Sequence, residues 1–318
     1  MNLHKAPLFQ TLIFRILGVF FTDKTLHKIF DSGSLKRGVF ATYDLINSSE
    51  MTPTFNLLPE NNIGIVVQGP INNRYTKNVC AFLVRTNPDA KVVLSTWNDQ
   101  DIREYEKFFG ENFYIIQSPK PKNPGPSNIN LQIVSTISGI EKLQSLGCTQ
   151  ILKMRTDTIL ANPQFLKYLI WMADKGDEKA IVFSSFNSFL FRLFSVTDQI
   201  MFGSTSNMRK YWNVELPSTA GSTDFPEKFL FKRYLKLQGF ECTETLESYL
   251  DALRRFTVIA DHEQLGQIWN KGAYTGLNYR WRGSSFPHPM CQLTTWMWEL
   301  INIDDSYIKE LYRNLSSA

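Results

Sequence analysis

The strongest constraint in this sequence is an alternation. From residue 61 onward, short apolar runs take turns with segments of helical periodicity. Ile63-Gly64-Ile65-Val66-Val67 reads as a buried strand and is followed by the loop Gln68-Gly69-Pro70. A helical pattern covers Thr76 to Thr86 and stops at Pro88. Lys91-Val92-Val93-Leu94-Ser95 is a second strand, a short helix falls over 101–109, and Phe113-Tyr114-Ile115-Ile116 is a third strand. Strands and helices at this spacing predict an α/β fold with a mostly parallel central sheet flanked by helices.

After a loop carrying Pro119, Pro121, Pro124 and Pro126, a long helix is predicted with Ser127 as its N-cap. Ile129, Ile133, Ile137 and Ile140 recur at helical spacing and mark its core face. Ile151-Leu152-Lys153-Met154 then forms a strand that runs straight into Arg155-Thr156-Asp157-Thr158. Further on, a helix from Pro163 to about Ala173, a strand from Ala180 to Ser184 and a strand from Gln199 to Gly203 are predicted. The apolar run Phe186 to Phe194 reads as core, with contact to lipid or a lipid-linked acceptor as the alternative. The segment 217–224 reads as a loop, and helices are expected at 225–237, 244–255, 261–270 and 304–315. Residues 1–60 form an extension with helical patterns around 8–20 and 24–30.

The chain has 318 residues, enough for a sizeable core, and its 43% hydrophobic and 20% charged content argues against disorder. A net charge of +4 is too weak to point to nucleic acid and is compatible with an anionic substrate or membrane surface. The widely separated Cys80, Cys148, Cys242 and Cys291 show no metal spacing and read as reduced thiols of a cytosolic protein. Leu8 to Phe21 is too short for a membrane span, holds Gln10 and Arg15, and lacks a clean cleavage site. It reads as a buried helix, with an interfacial amphipathic helix as the alternative.

The polar clusters share an address. Gln68-Gly69-Pro70, Ser95-Thr96-Trp97-Asn98-Asp99 and Arg155-Thr156-Asp157 each follow the carboxyl end of a strand, where ligands bind in open α/β sheets. Asn128 and Gln132 fall on one face of the long helix, whose start suits either a phosphate or simple capping. Asp157 suits a metal completed by substrate phosphates, or else a salt bridge or cap before Pro163; His288 is a distal candidate ligand. Asp224 and Glu227 flank Phe225-Pro226, as helix-start acids or as a general base, with Asp198 as an alternative. Tyr279 to Arg282 and Trp296-Met297-Trp298 suit a sugar platform or an anion-binding rim, or core packing for the tryptophans. There is no GxxxxGK[ST], GxGxxG, GxSxG or HExxH motif.

The ordered set Val66-Val67-Gln68-Gly69-Pro70, Leu94-Ser95-Thr96-Trp97, Asn128-Ile129-Asn130-Leu131-Gln132 with Ser135 and Gly139, Lys153 to Asp157, Asp198 to Gly203 and Pro226-Glu227 resembles the WavE lipopolysaccharide synthesis family of bacterial glycosyltransferase-like proteins, over roughly residues 61–237. The resemblance implies a GT-A-like (Rossmann-like) domain over 61–318 with helical N- and C-terminal additions. Its nucleotide-binding half would be about 61–160 and its acceptor half about 161–318. It further implies a role in surface-polysaccharide assembly; the expected location is the cytoplasm, either free or at the cytoplasmic face of the inner membrane.

On this reading the donor is a nucleotide-diphosphate sugar and the acceptor an oligosaccharide or lipid-linked glycan. Gln68, Gly69, Pro70, Ser95, Thr96, Trp97, Asn128, Asn130, Gln132 and Arg155 would bind the donor. Glu227, Asp224 or Asp198 would supply the base. GT-A enzymes usually carry an Asp-x-Asp metal motif, whereas here Arg155 stands in place of the first acid. A Mn or Mg ion held by Asp157 and His288 therefore competes with charge balance by Arg155 itself. The alternatives are a non-catalytic glycan- or nucleotide-binding protein on the same scaffold and a nucleotidyltransferase.

Overall fold

The computed structural model describes residues 62–72, 76–106, 110–217, 224–269 and 292–316. Its central sheet has seven strands. These are β1 (Ile63–Gln68), β2 (Lys91–Trp97), β3 (Phe113–Ser118), β4 (Gln150–Arg155), β6 (Ile181–Ser184), β7 (Met201–Ser204) and β8 (Thr257–Ala260). Their spatial order is β3-β2-β1-β4-β7-β6-β8. All run parallel to one another except β7, which is antiparallel to both β4 and β6. A separate antiparallel pair joins β5 (Thr158–Leu160) to β9 (Gln267–Trp269).

Helices α1 (Thr76–Thr86), α2 (Arg103–Glu106), α3 (Ile129–Ser145), α4 (Phe165–Ala173) and α5 (Thr205–Trp212) connect the strands. They are followed by α6 (Pro226–Leu237), α7 (Leu246–Phe256), α8 (Thr295–Ile303) and α9 (Ser306–Ser316). Every residue of β1 is buried, as expected of a strand covered on both faces. Helix α3 lies over β1 and β2 with Ile129, Ile133, Ile140 and Leu143 buried and Ile137 packed against their edge. Its fit is close at Gly139, where a Cβ would stand 2.6 Å from the Val66 side chain.

Register sets the functional edge. Gln68, the last residue of β1, lies opposite Ser95 of β2 on one side and Arg155 of β4 on the other. The three polar strand ends are therefore flush.

Two sequence expectations are corrected. The expected helix at 261–270 is a run of turns ending in β9. Gly266 takes φ +59 and lies so close to Asn162 that a Cβ there would sit 2.7 Å from its backbone nitrogen. The turn steers Gln267–Trp269 into pairing with β5, and that pairing overrides the apolar spacing. Ser127 does not cap α3; it sits at φ 51 inside a single 3₁₀ turn, Pro126–Asn128. Asn128, at φ 63, holds the N-cap position and makes no side-chain capping bond. One helix is an addition: α8 begins behind Thr294, whose hydroxyl accepts a bond from the Met297 amide.

The N-terminal helical patterns, Tyr279 to Arg282, His288 and Cys291 lie outside the described residues. Cys80, Cys148 and Cys242 are free thiols. No helix among the described residues is long and apolar enough to cross a membrane.

Candidate functional site

A cavity of about 750 Å³ opens along the carboxyl ends of the strands. Its lining changes with position along the sheet. Near β2 and β3 it is walled by Trp97, Lys120, Asn128 and Gln132. Gln68, Gly69, Pro70, Arg155 and Asp157 form its middle, at the ends of β1 and β4. The loop after β6 brings Asn187, Arg192 and Asp198, α6 brings Phe225 and Glu227, and β9 brings Trp269. Neighbouring strands lie about 4.8 Å apart, so the four steps from β2 to β6 span roughly 19 Å.

The middle is stitched together by backbone. The Gly69 amide donates to the Ser95 carbonyl at 3.1 Å and the Thr156 amide to the Gln68 carbonyl at 2.9 Å. Gly69 has φ +130, and a Cβ there would meet the Thr156 hydroxyl at 2.8 Å, so only glycine suits the position.

Arg155 and Asp157 form a two-pronged ion pair, Nε to Oδ1 and Nη2 to Oδ2, each at 2.9 Å. Trp269 Nε1 also donates to Asp157 Oδ2, at 3.2 Å. Burial works against the Arg155 charge, but Asp157, with Asp198 and Glu227 beyond it, raises the guanidinium pKa above its ordinary value. Beneath them Lys153 is fully buried, donates to the Asp198 carbonyl and lies 4.7 Å from the centre of the Trp212 ring. Burial lowers its pKa to about 8.

Glu227 owes its place to Pro226, which starts α6 and puts the acid in the first helical turn. The loop 185–200 is almost wholly buried and closed on itself. The Phe189 amide donates to the Ser195 carbonyl, the Ser195 amide to the Arg192 carbonyl, and the Thr197 amide to the Ser188 hydroxyl. Among the described residues, four non-glycines have positive φ: Ser127, Asn128, Asn187 and Phe194. Three of them line the cavity and the fourth lies in the 185–200 loop. Backbone held in that region costs of order 1–3 kcal/mol per residue and gathers at working sites.

Several sequence candidates lie behind the walls. Ser95 is buried and its Oγ donates to the Ser135 carbonyl at 2.6 Å, tying β2 to α3. Thr96 is fully buried. Asn130 Nδ2 bridges the Asn123 and Pro217 carbonyls, both at 3.0 Å. Asp224 pairs with Lys228 at 3.5 Å and faces a second hollow beside α6. The amides of Asn128, Ile129 and Asn130 are taken by the turn before α3, which leaves that helix start less open to a phosphate than its sequence suggests. Trp298 is buried and its Nε1 donates to the Leu253 carbonyl, while Trp296 is exposed against Tyr307; neither lines the cavity.

Asn187, Arg192, Lys120 and Trp269 line the cavity without having been candidates. Arg192 carried a signal, being the lone charge between Phe191 and Leu193. Trp269 carried none, because its contact with Asp157 spans 112 residues of chain.

Among the described residues no three His, Cys, Asp or Glu side chains converge, and Asp157 accepts bonds from Arg155 and Trp269.

A sequence model of the WavE lipopolysaccharide synthesis family matches residues 63–255. The chain belongs to this family. The matched region begins at β1 and reaches into α7, so it holds every cavity residue named above except Trp269. The curated proteins contain no match to this WavE family member. Among solved structures it is similar to a mannose-1-phosphate geranyltransferase from Thermus thermophilus, at 10% identity. That likeness covers 67% of this chain and 76% of the other, with a TM-score of 0.37.

Proposed function

We propose that this WavE family member is a GT-A-like glycosyltransferase that moves a sugar from a nucleotide-diphosphate donor to a growing lipopolysaccharide or related surface glycan. The observation that carries this reading is the cavity running along the strand ends, with the Arg155–Asp157 pair at its middle. The strand ends that it follows span roughly 19 Å, which suits an extended nucleotide sugar. The nucleoside lies between Trp97, Gln132 and Gln68, the diphosphate at Arg155, and the sugar towards Asn187 and Asp198.

The chemical difficulty is charge building on the leaving diphosphate. Arg155 answers it. Two of its N–H donors are committed to Asp157, and a guanidinium has five, so the remainder can meet phosphate oxygens. Asp157 fixes the orientation of that fork. Glu227, on the same cavity from the far side, takes the proton of the attacking acceptor hydroxyl. The acceptor is an oligosaccharide or lipid-linked glycan. A divalent cation, where one takes part, would add further positive charge beside the diphosphate.

The test is a thermal-shift panel of nucleotide sugars with and without Mn²⁺, since a ligand that binds only the native state raises apparent stability. Product analysis with the best binder follows. Release of a nucleoside diphosphate supports glycosyl transfer. Release of pyrophosphate assigns the cavity to nucleotidyl transfer, and no shift with any nucleotide sugar sinks the reading.

A further inference from the structure

The cavity has a cation at its β6 end that the transfer chemistry leaves unused. Arg192 lies at the tip of the closed turn Phe189–Ser195, whose ends are joined by the bond between the Phe189 amide and the Ser195 carbonyl. The turn is anchored from below, because the Tyr249 hydroxyl donates to the Phe189 carbonyl at 2.8 Å and the Leu293 amide to the Ser188 carbonyl. Arg192 Cζ stands 3.5 Å from the centre of the Phe225 ring, with the Phe189 ring 5.9 Å away on the same guanidinium. A guanidinium stacked on an aromatic face keeps its N–H edges directed outward, in the plane suited to an oxyanion. Phe225 is two residues from Glu227, and both line the cavity with Arg192.

We infer that Arg192 recognises an anionic group, the carboxylate or phosphate of an acidic sugar, on the acceptor glycan next to the hydroxyl that is glycosylated. This rests on the transferase reading, which puts the acceptor beside Glu227. The sheet order separates this cation from Arg155: one follows β6 and the other ends β4, with β7 between them. Arg155 is clasped by Asp157 at the diphosphate position, whereas Arg192 is held by aromatic rings at the far end.

The experiment titrates glucuronate, glucose 6-phosphate and glucose into the full chain by calorimetry. Each titration is run with the protein alone and with the protein saturated by the nucleoside diphosphate that gives the largest thermal shift. One acidic sugar is expected to bind at least tenfold more tightly than glucose and to weaken as salt is raised. The acid that prevails tells a carboxylate from a phosphate. Arg192→Gln should abolish the preference, and Arg192→Lys should keep part of it, because charge survives while the planar fork is lost. Equal affinity for all three sugars overturns the inference, as does a preference that persists in Arg192→Gln. The comparison between sugars uses the unaltered protein, so it decides even if a variant fails to fold. Nucleotide binding without acid preference sinks this inference alone, while failure of all nucleotides to bind sinks the transferase reading.

Discussion

Arg155 and Asp157, two residues apart across the end of β4, hold each other by two parallel hydrogen bonds of 2.9 Å in the middle of the cavity. Their side chains are only 19% and 14% exposed, so each partner would be left largely desolvated without the other. Breaking such a pair from one side strands a charge, and removing both does not. Asp157→Asn should therefore cost about 2–3 kcal/mol of stability. The double variant Arg155→Gln/Asp157→Asn should cost clearly less than the sum of the two single changes. Chemical denaturation of the four proteins measures this, and strictly additive losses would show that the pair does not act as a unit.

Glu227 is assigned the acceptor's proton. Glu227→Gln keeps the side chain's shape and the start of α6 while removing the basic oxygen. Turnover at saturating donor should fall by about 10²- to 10⁴-fold. Donor affinity should stay within about twofold, because the diphosphate is held at Arg155 and not at Glu227. Single-turnover rates alongside nucleotide titrations make the comparison. A variant that retains a tenth of normal turnover removes Glu227 from the role and moves attention to Asp198.

The strand ends were legible because a buried parallel strand leaves a long apolar run, and the run's end locates the sheet edge. Gln68, Trp97 and Arg155 follow from that logic and all line the cavity. Ser95 and Thr96 belong to the same motif yet lie behind the wall, since moving one or two residues back along a strand changes the face or the depth. Of the motif's Ser135 and Gly139, packing explains the glycine, which lets α3 approach β1, while the Ser135 hydroxyl turns back to the Leu131 carbonyl of its own helix. Trp269 was illegible because the β5–β9 pairing that delivers it joins distant segments. The same pairing explains the mistaken helix at 261–270. There, Leu265, Ile268 and Trp269 mimic helical spacing, but Gly266 turns the chain.

Lys153 predicts a pH dependence. Burial lowers its pKa from 10.5 to about 8 in the fold; the Arg155 charge adds to the lowering, while Asp198, Asp157 and Glu227 oppose it. Between those two values the unfolded chain holds a proton that the folded protein has released, so stability contributed by Lys153 rises with pH across that window. It is fully present above the unfolded value and is lost as pH falls through the folded one. Lys153→Met keeps the bulk and removes the titration. The wild-type protein should gain about 2 kcal/mol relative to this variant between about pH 7.5 and about pH 10. Denaturant midpoints of both proteins across that range give the difference directly. A flat difference would mean that water or a rearranged partner solvates the lysine.

Gly139 sits on α3 where the helix crosses β1, and an added Cβ would lie 2.6 Å from Val66 Cγ1 and 3.2 Å from Ser95 Cβ. Two opposing effects meet there. Alanine favours the helix interior by about 1 kcal/mol over glycine. Overpacking a close-packed site costs about 1–3 kcal/mol, and here the neighbour is a fully buried valine on a central strand that has nowhere to move. The clash should win, and Gly139→Ala should lose about 1 kcal/mol. Because α3 also carries Asn128 and Gln132 to the cavity, pushing it off the sheet should weaken nucleotide binding in parallel. Val66→Ala, which removes the atoms that the new methyl would strike, should recover part of both losses when combined with Gly139→Ala. Purely additive destabilisation in that double variant, measured by denaturation and nucleotide titration, would show that the close approach at Gly139 does not set the position of α3.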